Sequence, residues 1–273
     1  MNGIVGHKGK IGSLLLQRAN FVSIPIEDIS APQLYYQNKD FEVVVNLAAM
    51  SGVDECEKHY EDAVRTNVRG LANLHWVFGN NVLNISSDHV FSGKGWLLPT
   101  EKTNPSPVNG YGFTKLGAEG VSRALGGKTL RLSRTVSVHD SDISAYLYLI
   151  KWGKPAYIPN FQTRNYLHRY FAVDGIEYLV NNWGIQNQLI NYAGTDNVSM
   201  VQLMKLFAKE IGLDTTLVRE RGTEESGHAP RPAKGGLNVK LAKKLGFPMY
   251  SIKDTVSELV KEFNGYTPTY PGL

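Results

Sequence analysis

Gly6, Gly9 and Gly12 stand at three-residue spacing between a short apolar start, residues 1–5, and an apolar stretch from Leu14 to Leu16. In the order strand, glycine turn, helix, a backbone free of Cβ atoms can approach a pyrophosphate while the helix N-terminus aims its N–H groups at it. A G-x-x-G-x-x-G spacing also occurs in plain structural turns, so its weight depends on the elements downstream.

Those elements alternate. Residues 21–26 are short and partly β-branched, as expected of a second strand. Residues 41–47, Phe-Glu-Val-Val-Val-Asn-Leu, form the continuous β-branched run of a strand buried on both faces. Val64, Val68, Leu71, Leu74 and Phe78 recur at helical spacing and predict a helix over 62–78 that packs on the sheet. Residues 82–85 return to strand and end in Ser86 and Ser87. A Gly/Pro-rich loop over 93–107 then leads to a helix over 111–125 and a strand over 129–133. Such alternation predicts an α/β fold, a Rossmann-type doubly wound parallel sheet with ligands beyond the carboxyl ends of its strands.

The second half reads differently, with strand-like pieces at 156–158 and 189–192 among loops and helices. A helix over 200–211 opens on Ser199 and Gln202, spaced as a capping box, and closes on Gly212. Helices over 239–245, stopped by Gly246, and 252–263, capped by Ser251, complete the chain. The expected division is a dinucleotide-binding domain over 1–137 and a smaller C-terminal α/β lobe over 138–273. That lobe is mainly substrate-binding, with some segments returning to the first domain.

Composition narrows the function classes. With 42% hydrophobic and 20% charged residues the chain can bury a core and has no reason to be disordered. Its net charge of +4 is spread without a dense Lys/Arg run, which speaks against nucleic acid and suits a small anionic ligand. The lone cysteine, Cys56, excludes an intramolecular disulfide, and no Cys/His spacing resembles a zinc site. His59, His75, His139, His168 and His228 are scattered and read as core or surface residues. Apolar runs fall far short of the ~20 residues of a membrane span. The glycine turn comes too early to leave room for a targeting segment, so a cytoplasmic protein is expected.

Tyr111 and Lys115 are four apart on the helix over 111–125 and share a face. There the Lys ammonium is expected to favour the phenolate and lower the Tyr pKa, fitting it for proton transfer. Ser86 and Ser87 stand at a strand end, Ser87 being 24 residues before Tyr111, and a hydroxyl there can hydrogen-bond a carbonyl held against that Tyr.

With these elements in this order the sequence resembles the extended short-chain dehydrogenase/reductases, and among them the dTDP-4-dehydrorhamnose reductases. The resemblance rests on residues 45–49 (Val-Asn-Leu-Ala-Ala), 53–57 (Val-Asp-Glu-Cys-Glu), 67–70 (Asn-Val-Arg-Gly) and 85–91 (Ile-Ser-Ser-Asp-His-Val-Phe), and on 107–119 with Tyr111 and Lys115. Later matches are Ala193-Gly194-Thr195 with Ser199, and Arg231-Pro232 with Leu237-Asn238. It implies hydride transfer from a reduced nicotinamide, NADP or NAD, to the 4-keto group of a nucleotide-linked 6-deoxysugar. Ser87, Tyr111 and Lys115 would be catalytic, with Lys115 also holding the nicotinamide ribose. Gly6, His7, Lys8, Gly9, Lys10, Ile11 and Gly12 would bind the cofactor with Asp28, Ile29, Leu47, Ala48, Ala49 and Asn67, Asp28 and Ile29 lining the adenine. The substrate would meet Val53, Asp54, Ser87, Asp88 and His89, and Arg231 suits a nucleotide diphosphate. Asp54, Glu55 and Glu57 equally suit a solvated helix start.

Two departures from the family fall near the expected sugar site. His89 stands where the family has Tyr, and residues 133–137, Ser-Arg-Thr-Val-Ser, replace an aromatic-rich stretch. Pro25 occupies the place of an acidic residue that selects NAD, leaving both cofactors open. The family is sometimes credited with magnesium, but no carboxylate cluster here demands a metal. A nucleotide-sugar epimerase or dehydratase, using the same Ser/Tyr/Lys group, is the alternative within enzymes. A cofactor-binding regulatory subunit, like the partner of methionine adenosyltransferase, is the alternative outside them. A homodimer is expected from the resemblance.

Overall fold

The computed structural model describes residues 1–31, 40–160, 162–222, 229–264 and 266; His228 lies outside them. Strand β1 (Asn2–Val5) runs through the glycine turn into the one-turn helix α1 (Gly12–Leu15), then β2 (Phe21–Ser23) and β3 (Val44–Asn46). Helices α2 (Val53–Lys58), α3 (Tyr60–Val64) and α4 (Gly70–Phe78) come next, with a π turn at Arg65–Arg69 joining the last two. Strand β4 (Val82–Ser87), helix α5 (Gly110–Ala124) and strand β5 (Lys128–Leu132) complete the first half. The second half contains β6 (Thr135–Val136), α6 (Ser141–Lys151), β7 (Ala156–Pro159), β8 (Thr163–Arg164), β9 (Leu167–His168) and α7 (Arg169–Asn181). Then come β10 (Leu189–Tyr192), β11 (Val198–Ser199), α8 (Met200–Glu210), β12 (Val218–Arg221), α9 (Lys240–Lys244) and α10 (Ile252–Phe263).

Six strands form one parallel sheet in the order β10-β5-β4-β3-β1-β2. The chain leaves β1 for β2 on one side and returns to β3 on the other, which opens a crevice beyond the carboxyl ends of β1 and β3. Alternate side chains serve opposite faces. Ile4, Val43, Val45 and Leu83 join a core built with α1 and α7, while Val5, Val44 and Val82 join one built with α4 and α5. A separate core of α6, β7, α8, β12 and α10 forms the second lobe, around Ile143, Leu147, Ile158, Phe207 and Leu259. Strand β10 and helix α7, from the second half, pack with the main sheet.

Several boundaries depart from the expectations for physical reasons. β2 stops at Ser23 rather than Ile26, because Pro25 has no N–H to offer a neighbouring strand. The helix over 62–78 is interrupted by the π turn, whose extra residue rotates the buried face. Ala63, Asn67, Gly70, Leu71 and Leu74 are buried, whereas Val64, Val68 and Phe78 are only half-buried. The second-half expectations omit α6 and α7, although Ala172, Ile176 and Leu179 have helical spacing.

Candidate active site

Helix α5 is set in place from its N-terminus. The Asn109 side chain accepts from Gly112 N–H at 2.8 Å, and Glu57 Oε2 accepts from Gly110 N–H at 2.6 Å, satisfying donors a helix start leaves open. A Cβ on Gly112 would lie 2.3 Å from the His89 carbonyl oxygen, so the helix rests directly on the 3-10 turn after β4. Tyr111 meets the His89 ring edge-on at 5.4 Å and lines both cavities with Ser87, whose Oγ donates to Asp88 Oδ1 at 3.3 Å and accepts from His89 N–H at 3.2 Å. Lys115 Nζ donates to the Ile85 carbonyl at 3.0 Å and lies 5.8 Å from the centre of the Tyr111 ring. Ser87, Tyr111 and Lys115 therefore converge at the end of β4. Ser86, one residue earlier, donates to Glu119 of the same helix α5 at 2.6 Å.

The electrostatics correct one expectation. Spacing alone has Lys115 lowering the Tyr111 pKa; instead burial pushes it up to about 12, with the Ser87 hydroxyl opposing only in part. Burial pushes Lys115 down to about 8. Tyr111 thus keeps its proton through the neutral range. The Lys115 amine carries its charge below about pH 8 and loses it as pH rises. The expected pH profile of kcat/KM for reduction is flat from about pH 6 to 7.5 and falls with one limb near pH 8. Lys115→Arg should remove that limb; an unchanged limb would assign it to another group.

A groove of about 380 Å³ occupies the crevice, lined by Gly9, Lys10, Ile11, Gly12, Leu47, Ala49, Tyr111 and Lys115 from the expected set. Asn46, Ser51, Ile85, Ser86, Ser133 and Thr135 also line it. The glycine turn fits a dinucleotide: Gly6 has φ +82°, and a Cβ on it would lie 2.5 Å from Ala48 N. A Cβ on Gly12 would lie 2.3 Å from Gly6 O, so no side chain fits inside the turn. Gly6 and Ala48 form the packed wall behind the groove, while His7 and Lys8 lie outside its lining. Lys10 reaches Asp140 at 2.9 Å.

Three expected cofactor residues take other positions. Ile29 is buried in the core beneath Gly70 instead of lining a surface for adenine. Asp28 is exposed, and hydrogen bonds from Ser30 hold its carboxyl below the usual range. Asn67, set inward by the π turn, spends its amide on Met50 N, Met50 O and the Thr114 hydroxyl. It clamps the loop bordering the groove onto α5.

A second cavity of about 530 Å³ shares Ser51, Ser87, Tyr111, Ser133 and Thr135 with the groove. Of the expected substrate residues, Val53, Asp88, His89 and Arg231 line it, and Asp54 does not. Arg231 donates to Asp54 at 2.8 Å and to Ala229 O at 2.7 Å, so its charge is already matched. Asp88 is buried, with both oxygens taken by Arg164 at 3.2 and 3.1 Å and further bonds from Ser133 and Gly236 N–H. Burial alone would raise its pKa; Arg164 and these donors hold it below the usual carboxylate range. It acts on the cavity through Arg164. Sequence reasoning missed Arg164, Asp142, Tyr146, Gln162 and Tyr166 on this lining. The atypical residues 133–137 did mark Arg134, which pairs with Asp142, whereas nothing local marks Arg164. Among the described residues no cluster of His, Cys, Asp or Glu is placed to hold a metal, and no helix is long and apolar enough to cross a membrane.

A parallel doubly wound sheet with a glycine turn at its switch point and Ser, Tyr and Lys converging there defines an extended short-chain dehydrogenase/reductase, an NAD(P)-dependent oxidoreductase. The chain belongs to the family described as RmlD substrate binding domain, whose sequence model matches residues 4–264. It is 25% identical over 290 residues to dTDP-4-dehydrorhamnose reductase of Mycolicibacterium smegmatis, covering 98% of this chain and 87% of that one. It is 23% identical over 227 residues to the spore coat polysaccharide biosynthesis protein SpsK of Bacillus subtilis, covering 81% and 79%. The crystal structure of dTDP-4-dehydrorhamnose reductase from Bacillus anthracis in complex with NADP superimposes with a TM-score of 0.85 at 20% identity, covering 96% and 97%.

Proposed function

We propose that the protein reduces the 4-keto group of a nucleotide-linked 6-deoxysugar, with dTDP-4-dehydrorhamnose the first substrate to test. The observation that carries this reading is the convergence of Ser87, Tyr111 and Lys115 where the two cavities meet. One cavity has the glycine turn of a dinucleotide site; the other is polar and sized for a sugar. NADPH or NADH in the groove would supply the hydride to the carbonyl carbon. Ser87 would hold the carbonyl oxygen, Tyr111 would give it a proton, and Lys115 would stabilise the charge left on Tyr111.

Exchangeable cofactor consumed stoichiometrically would favour reduction over an epimerase or dehydratase, which would retain its cofactor and return it to its starting state. The intact trio argues against a purely regulatory subunit. The same reading assigns residues 1–137 to the cofactor and 138–273 mainly to the sugar, with β10 returning to the sheet. It also takes in a homodimer and a cytoplasmic setting.

The test is loss of reduced-nicotinamide absorbance, with NADPH and NADH in parallel, on adding dTDP-4-dehydrorhamnose. Stoichiometric oxidation with formation of dTDP-rhamnose is expected. Cofactor binding without turnover would sink the substrate assignment.

A further inference from the structure

His89 sits between two hydrogen-bond donors. The Asn109 amide is oriented twice over: its Oδ1 accepts from Gly112 N–H and its Nδ2 donates to Pro230 O, each at 2.8 Å. Flipping it would set N–H against N–H and oxygen against oxygen. The Nδ2 that lies 3.2 Å from His89 Nδ1 is therefore a donor. At the other end of the ring, Arg164 Nη2 lies 3.2 Å from His89 Nε2 and can only donate.

A neutral imidazole carries one N–H, and on either nitrogen it meets a donor. The ends are not equivalent. Asn109 is 1% exposed and leaves no room for an acceptor, whereas His89 and Arg164 both line the sugar cavity. Protonating both nitrogens is no escape, because burial and then the Arg164 charge push His89 down to about 4. Arg164 is itself held, by Asp88 at 3.1 Å and by Gln162 Oε1 at 3.0 Å.

We propose that His89 is the Nε2–H tautomer and that its Nε2–H and an Arg164 Nη2–H form a two-donor cleft for a lone-pair oxygen of the sugar. That oxygen would be a hydroxyl or carbonyl beside the one Ser87 and Tyr111 take. The inference rests on the nucleotide-sugar reading above and adds a requirement: a sugar presenting only C–H there leaves two buried donors unmatched. Asp88 and Gln162 are positioning residues for this cleft.

The test is two-bond ¹⁵N–¹H correlation of the imidazoles in ¹⁵N-histidine-labelled protein, with His89 assigned by its loss in His89→Gln. The expected ligand-free spectrum has an unprotonated Nδ1 and a protonated Nε2, unchanged between about pH 5.5 and 8. Adding dTDP-rhamnose should move the Nε2 signal, and dTDP alone should leave it in place. An Nδ1–H tautomer, or an Nε2 signal that is still while calorimetry shows dTDP-rhamnose bound, overturns the proposal. If dTDP-rhamnose does not bind, the function reading and the sugar-oxygen half fall together, and the ligand-free spectrum alone decides the tautomer. In kinetics His89→Phe should raise the KM for sugar roughly ten- to a hundredfold with the KM for NADPH unchanged, and His89→Gln, which keeps an N–H, should recover part. Equal effects of the two variants would count against the cleft.

Discussion

Tyr111→Phe is expected to lower kcat for keto-sugar reduction about a thousandfold, within the roughly 10²–10⁴ that a positioned acid contributes. Phe keeps the ring edge-on to His89 and leaves the Lys115 bond to Ile85 O intact, so only the hydroxyl is lost. Cofactor affinity, measured by NADPH fluorescence titration, should change less than about threefold. Ser87→Ala should cost less, because Ser87 positions the carbonyl oxygen without giving up a proton. A Tyr111→Phe variant with more than roughly a tenth of wild-type kcat would remove Tyr111 as proton donor. The trio would then be a binding feature.

The parts of this site that were legible in the sequence are those set by short-range geometry. Tyr111 and Lys115 share a helix face wherever the helix begins. Ser86 and Ser87 both stand at the end of β4, and it is the family resemblance, not spacing, that singles out Ser87. Capping chemistry placed α8 and α10 well: Ser199 with Gln202, and Ser251 with Asp254, each form reciprocal capping boxes.

What escaped depended on distant partners or on local irregularity. Arg164 lies in a two-residue strand and meets its carboxylate, Asp88, 76 residues away. No periodicity announces such a pair. The π turn at Arg65–Arg69 defeats a reading based on 3.6 residues per turn, yet it is what sends Asn67 inward to hold Met50 and Thr114. The rise in the Tyr111 pKa was invisible for a related reason: spacing reveals the nearby ammonium, but burial is a property of the packed fold.

Glu119→Leu is expected to be the most destabilising single change near the site, costing about 3–5 kcal/mol in urea unfolding. Arg131 lies on β5, between β4 and β10, and is 1% exposed. Its Nε and Nη2 donate to the two Glu119 oxygens at 2.7 and 2.6 Å, and the guanidinium carbon lies 4.9 Å from the Phe91 ring centre. Removing the carboxylate strands a guanidinium beneath α5 and takes away the acceptor of Ser86. Replacing both partners, Glu119→Leu with Arg131→Met, should recover much of the loss, since a buried ion pair repays little more than its own desolvation. Activity supplies a second readout. Glu119 stands one helical turn beyond Lys115 on α5, and Ser86 adjoins Ser87, so the pair anchors both elements that bring Ser87, Tyr111 and Lys115 together. The single variant should therefore lose kcat as well as stability, and the double variant should regain stability ahead of kcat. A single variant that loses less than about 1 kcal/mol would mean that water reaches Arg131 and that α5 is held by its apolar face and N-terminal caps alone.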